Sequence, residues 1–237
     1  MFGDHGRIGV IVPANNGVLE PEIWPALPDG VALYATRILA RGDLTHDAVH
    51  AMEANVDRAV DELAATGVDV MVYADMVTTF IMEPGWNEAR IAAIAARTGT
   101  PCVSAWTALR DALAALGIER IALGTPYPAA IHALAPRFFA ARGLAVTGHA
   151  TLDIVAMADV PRVGPDRLRG LVEGLARADA QAVVLLATDL PTFASIAALE
   201  RMTGLPVLGS NQTLLWSALR TLGNAARIPG LGRLFTL

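Results

Sequence analysis

The chain has 237 residues, 54% of them apolar and 17% charged, with a net charge of -5. That balance excludes a disordered chain and leaves enough length for one large domain or two small ones with a real core. The charges are scattered with no basic stripe, which argues against nucleic-acid binding.

In chain order, short β-type runs alternate with longer helical ones. Strands are predicted at Arg7 to Val12, Val31 to Thr36, Val68 to Ala74, Cys102 to Ser104, Arg120 to Thr125, Leu144 to Ala150, Ala182 to Ala187 and Val207 to Gly209. One long amphipathic helix is predicted over Asp47 to Thr66, stopped by Gly67. Further helices are predicted over Trp86 to Arg97, Thr107 to Leu116, Ala129 to Arg142, Pro165 to Arg177, Ser195 to Met202 and Gln212 to Leu222. Such alternation predicts an α/β fold, with parallel sheets covered by helices on both faces.

The order repeats itself. Arg7-Ile8-Gly9-Val10-Ile11-Val12-Pro13 recurs 113 residues later as Arg120-Ile121-Ala122-Leu123-Gly124-Thr125-Pro126, and Val70 to Asp75 recurs 112 residues later as Ala182 to Ala187. Gly99-Thr100-Pro101-Cys102 recurs as Gly204-Leu205-Pro206-Val207, and Leu113 with Leu116-Gly117 as Leu219 with Leu222-Gly223. The expectation is two pseudo-symmetric Rossmann-like halves, residues 1–112 and 113–225, with the functional site in the cleft between them. The tail, residues 226–237, falls outside the repeat and is expected to pack back on the first half.

Several classes are excluded or disfavoured. All 18 basic residues are arginine, so Schiff-base lysine chemistry is excluded. The single cysteine, Cys102, allows neither an internal disulfide nor a thiolate metal cluster, and it reads as a small core residue. With no apolar run near the ~18 residues of a membrane span and no signal-peptide pattern, no membrane association and a cytoplasmic location are expected. His46 and His50 stand at metal-ligand spacing without a third ligand, so they read as a solvated face and no metal is expected. Gly230-Leu231-Gly232 does not join a strand to a helix and is no dinucleotide fingerprint.

In parallel α/β sheets, ligands bind beyond the carboxyl ends of strands. Four such ends stand out: Pro13 to Gly17, Asp75 to Thr79, Thr125 to Tyr127 and Ala187 to Thr192. Each precedes a helix whose first N–H groups suit a small carboxylate.

These motifs, with Ser210-Asn211-Gln212, Leu215-Trp216 and the Pro229 to Phe235 tail, carry a resemblance along nearly the whole chain. The sequence resembles the aspartate/glutamate racemase superfamily, in the branch of arylmalonate decarboxylase and maleate cis-trans isomerase. The resemblance implies two cysteines, one per half, that exchange protons with the substrate or attack it; the decarboxylase keeps only the second. Here the first position matches Asp75. The second matches Ala187, where relatives read Cys-Thr-Asn-Leu, and Cys102 matches neither. The resemblance also implies that Asn16 and Tyr127 hold a substrate carboxylate, whereas Met76 and Val77 replace the small hydroxyl residues of the decarboxylase.

The expected catalytic residues are therefore Asp75, an acid/base group at the end of an apolar strand, and Asp189. For Asp75 the competing role is a helix cap, and for Asp189 a turn or cap. Substrate binding is assigned to Asn15, Asn16, Tyr127, Thr78, Thr188 and Asn211, against turn chemistry for the asparagines and turn packing for Tyr127. The expected function is an enzyme that needs no cofactor. It would act on a small carboxylic acid by proton transfer or bond cleavage beside the carboxylate, as a decarboxylase, other lyase or isomerase. One alternative is a hydrolase or hydratase in which Asp75 activates water; another is a non-catalytic small-acid binding protein. The apolar content and the resemblance are compatible with a homodimer.

Overall fold

The alternating runs form two sheets of four parallel strands each. The structure, a computed structural model, describes residues 2–237. In chain order the first half holds β1 (Gly6–Pro13), α1 (Leu19–Ile23), β2 (Val31–Ile38), α2 (His46–Glu53), α3 (Val56–Thr66), β3 (Val70–Tyr73), α4 (Thr78–Ile81), α5 (Trp86–Thr98), β4 (Cys102–Ser104) and α6 (Ala105–Ala115). The second holds β5 (Arg120–Thr125), α7 (Ala129–His132), α8 (Leu134–Ala140), β6 (Ala145–Thr151), α9 (Pro165–Glu173), β7 (Ala182–Leu185), α10 (Phe193–Thr203), β8 (Val207–Gly209) and α11 (Ser210–Thr221). The strand orders, β2-β1-β3-β4 and β6-β5-β7-β8, match one for one, as the sequence repeat implies. The central strands are apolar on both faces because helices cover both, and Val10, Ile11, Val12, Val183 and Val184 are wholly buried. No helix among the described residues is long and apolar enough to cross a membrane.

Two predicted helices are each broken in two. The run from Asp47 to Thr66 parts between α2 and α3. There the Asn55 amide donates back to the Ala51 carbonyl at 2.9 Å, a local bond that competes with the helical ladder. The Ala129 to Arg142 run restarts at Leu134, two residues before Pro136, which has no N–H and crowds the carbonyl four residues back. Gly67 ends α3 in the left-handed conformation at φ 68°, as its position predicts.

The tail is bonded to the second half rather than the first, where the sequence reading puts it. The Gln212 amide donates to the Leu231 carbonyl at 2.7 Å, Glu200 accepts from the Arg233 N–H at 3.0 Å, and Arg233 donates to the Gly204 carbonyl at 2.8 Å. Leu231, Leu234 and Phe235 are buried.

The halves share a continuous apolar core and are clasped by polar groups. Glu22 of α1 reaches the start of α10, where one oxygen accepts the N–H groups of Thr192 and Phe193 at 2.6 and 2.8 Å. Its other oxygen accepts from the Asn211 amide at 2.8 Å. A carboxylate at a helix N-terminus offsets orphan N–H groups and the helix dipole. Replacing Glu22 with alanine strands all three donors, so Glu22→Ala should cost about 3 kcal/mol in urea unfolding. A loss within about 0.5 kcal/mol, the range of an ordinary surface change, would show that the clasp adds nothing to the union of the halves.

Candidate active site

Four strand ends converge on one cavity. The turn after β1 contributes Asn15 and Asn16, the segment after β3 contributes Asp75, Met76 and Val77, the turn after β5 contributes Tyr127, and the segment after β7 contributes Thr188 and Asp189. Side chains of Ala48, Val49 and Met52 on α2 form an apolar wall, with Leu44 after β2 and Ile154 and Val160 after β6. The cavity has a volume of about 50 Å³. At roughly 10–15 Å³ per water that is room for a few waters or one small acid. Loops from the two edge strands meet over it: Asp43 and Ala156 form an isolated bridge, and the Leu44 N–H donates to the Val155 carbonyl at 3.2 Å.

Asp75 is buried and both of its anticipated roles coexist. One carboxylate oxygen accepts the Thr78 N–H at 2.8 Å and so caps α4, while the residue also lines the cavity. Burial pushes its carboxyl above the ordinary range, against the N–H donors of Thr78 and Val77, which favour the ionised form. Asp189, half-buried, is pushed up to about 7, first by burial and then by the negative charge of Asp75. The two aspartates thus interact as a pair and cannot both ionise freely near neutrality. Both also lie close enough to Tyr127 to add to the burial that keeps its phenol protonated.

Asn16 and Thr188 form the seam between the halves. Asn16 Oδ1 accepts the N–H groups of Val18 and Leu19 at 2.9 and 3.1 Å, and its amide donates to the Thr188 hydroxyl at 3.1 Å. The Thr188 hydroxyl in turn donates to the Ala74 carbonyl at 3.0 Å. Its only proton is therefore committed, whereas Asn16 keeps one amide N–H to offer. Asn15 presents a buried side-chain oxygen with no protein partner.

Of the residues singled out in the sequence, Asn15, Asn16, Asp75, Tyr127, Thr188 and Asp189 line the cavity together; Thr78 and Asn211 do not. Thr78 is wholly buried, and it bonds Asp75 through its backbone. Asn211 donates to the Thr188 carbonyl at 2.9 Å and to Glu22, which puts it behind the cavity as a strut. The sequence reading passed over Glu22, Leu44, Met52 and Ile154. They left no local signal, and the partners of Glu22 lie 170 and more residues away.

Ala187, at the position matched to the second cysteine, adopts φ 100°, a conformation rare for any residue with a Cβ. Its N–H donates to the Ser210 hydroxyl at 3.1 Å. The sharp elbow after β7 thus holds a bare methyl group. Cys102 lies in β4 and does not line the cavity, and burial pushes its thiol up to about 12.

Residues 8–235 match the family model described as arylmalonate decarboxylase. The chain is 31% identical to a maleate isomerase of Geobacillus stearothermophilus, with 98% of each chain covered. It is 30% identical to an arylmalonate decarboxylase of Bordetella bronchiseptica, over 96% of this chain and 95% of that one. Among solved structures, a cysteine-to-serine variant of Nocardia farcinica maleate cis-trans isomerase carries a covalently bound succinylcysteine intermediate. It superposes with a TM-score of 0.91 at 27% identity, covering 97% of this chain and 98% of that one.

The acid pair has a consequence for stability. A carboxyl raised from 3.8 to about 7 on folding holds its proton longer in the folded chain. The fold therefore loses stability as pH rises between those two values, and the loss is complete above the upper one. Asp189→Asn should raise the melting temperature at pH 8, where the buried charge is removed, and change it little at pH 4. An equal shift at both values would show that Asp189 carries no such penalty.

Proposed function

The chain belongs to the arylmalonate decarboxylase family, and from that premise we propose that it is a cofactor-independent lyase or isomerase. Its substrate is a small carboxylic acid, and Asp75 is the group that moves a proton at the carbon beside the carboxylate. The observation that carries this reading is the meeting of Asp75, Asp189 and Tyr127 in one small, mostly apolar cavity. Apolar surroundings strengthen every electrostatic interaction inside them and bring carboxyl groups toward neutral pKa values, where proton transfer is most effective.

The roles follow from the partners. Asp75, with two backbone N–H groups favouring its charge, is the base. Asp189, protonated below about 7, is the acid. The Tyr127 hydroxyl and the remaining Asn16 N–H hold the carboxylate and stabilise the enolate-like state as charge moves onto its oxygens. Thr188 keeps the Asn16 amide aimed, since its hydroxyl is the group that amide already holds. A covalent route like that of the Nocardia relative has no thiol to run on here. Cys102 is outside the cavity, Ala187 has no nucleophile, and a carboxylate attacks carbon poorly.

Proton NMR in D₂O tests the reaction class, with a panel of small acids: 2-substituted malonates and their monoamides, maleate, aspartate, glutamate and hydroxy acids. Wild type should exchange deuterium into, or convert, at least one of them. Asp75→Asn keeps a side chain able to cap Thr78 and should lose on the order of 10²-fold or more of that rate. Undiminished turnover in the variant would remove Asp75 from the chemistry. The pH profile of the same reaction gives a second check. With Asp189 as the acid, kcat should fall as pH rises through about 7, the value to which burial and Asp75 bring it. A rate that climbs through that range would assign Asp189 another role.

A further inference from the structure

We infer that this cavity selects a monoanion, a substrate with a single carboxylate and a hydrogen-bond-donating neutral group such as a carboxamide or hydroxyl, and rejects dicarboxylate dianions. The inference rests on the reading of the cavity as a small-acid site and narrows it.

Charge balance is the first argument. Two carboxyl groups, Asp75 and Asp189, face the cavity, and none of its lining residues is a cation. Two cations close to its walls are already committed. Arg37 holds the backbone of the Asn16 turn, donating to the Asn16 carbonyl at 2.8 Å, and is paired with Glu20. Arg90 pairs with Glu53 at 2.7 Å and with Asp57 at 2.9 Å. Glu53 itself feels the charge of Asp75, so that side adds no net positive field. With one of the two aspartates ionised, and both once the pH is above about 7, a dianion would bring two more charges into an apolar space whose lining offers no counter-ion. A monoanion brings one, which Tyr127 and Asn16 can meet with N–H and O–H donors.

The inventory of donors and acceptors is the second argument. The buried oxygen of Asn15 lacks a partner, and Asp75 and Asp189 add carboxyl oxygens. The Thr188 proton is spent on the Ala74 carbonyl. A ligand that brings only acceptors, as a dicarboxylate does, leaves the Asn15 oxygen unsatisfied. An amide N–H or a hydroxyl beside the carboxylate satisfies it. Neutral amides of the same shape as a dicarboxylate therefore fit where the dicarboxylate does not.

Matched pairs test this with the full-length protein. Isothermal titration calorimetry at pH 8 compares maleate with its monoamide maleamate, and 2-phenylmalonate with its monoamide. Each pair differs by one charge and hardly at all in shape. At least one monoamide should bind wild type tenfold or more tighter than its dianion. In Asp189→Asn, which removes one carboxylate and adds a donor, that ratio should shrink to threefold or less, mainly through tighter dianion binding. Dianions that bind wild type as tightly as their monoamides would overturn the inference and leave the carboxylate site standing, as would a ratio unmoved by Asp189→Asn. Failure of all four probes to bind at millimolar concentration would overturn both the inference and the small-acid reading beneath it.

Discussion

One threonine hydroxyl holds the site together. Thr188 Oγ1 lies where the end of β7 meets the end of β3, giving its proton to the Ala74 carbonyl and receiving one from Asn16. Two parallel sheets with the same strand order could meet in many ways. This contact, with the shared apolar core and the Glu22 clasp, holds them with the ends of β3 and β7 together. Everything at the cavity follows from that register. Ala74 is one residue before Asp75, and Asp189 is one residue after Thr188, so the same contact that joins the halves sets the two acids in each other's field. Asn211 and Glu22 extend the seam outward by holding the Thr188 carbonyl and the first turn of α10.

A pair of acids in an apolar cavity is costly, and the fold offsets the cost unevenly. Asp75 receives N–H groups at the start of α4, which favour its charge. Asp189 receives less, and burial first and the Asp75 charge second keep its proton on up to about 7. The asymmetry arises from backbone position, since the two side chains are chemically identical. It gives one residue type two different affinities for a proton, the condition under which a pair of carboxyl groups can share acid and base work. The halves are symmetric in strand order and unlike in the chemistry they bring to the cavity.

Much of this was legible in the sequence, because the signals are local or repeated. Apolar runs of strand length marked all eight strands, and the repeat at 112 to 113 residues foretold two sheets of one topology. That Asp75, Asp189, Tyr127 and the Asn15-Asn16 turn share one cavity was legible because strand ends in parallel sheets face a common cleft, and the resemblance picked Asp75, Asn16 and Tyr127 out among the residues there. What escaped had no local signal. The break at Asn55 depends on a side chain turning back on its own helix, and it lets α2 stand apart from α3 as a wall of the cavity. The break before Leu134 was written in Pro136 and was outweighed by the helical pattern around it. The hydrogen bond between His132 and His149, at 2.9 Å, joins a helix to a strand edge, and neither residue alone announces it. The side on which the tail attaches was hidden because it is marked by backbone bonds to Glu200 and Gln212, which the apolar pattern of Leu231, Leu234 and Phe235 does not announce.

The bridge over the cavity bears on how a substrate comes and goes. The two edge loops meet there through the bond from Leu44 to Val155, beside the Asp43–Ala156 pairing. One such bond is worth about 1 kcal/mol net, so breaking it alone leaves an open form populated at roughly a fifth of the closed one. The seam beneath, from Thr188 through Asn16 to Glu22, is far more heavily bonded. Opening at the roof would therefore disturb fewer bonds than parting the halves, and loop motions of that kind belong to the nanosecond to microsecond range. A vessel whose roof is tied by one bond and whose walls are tied by many has a hatch built in, and it could be opened without its two domains parting.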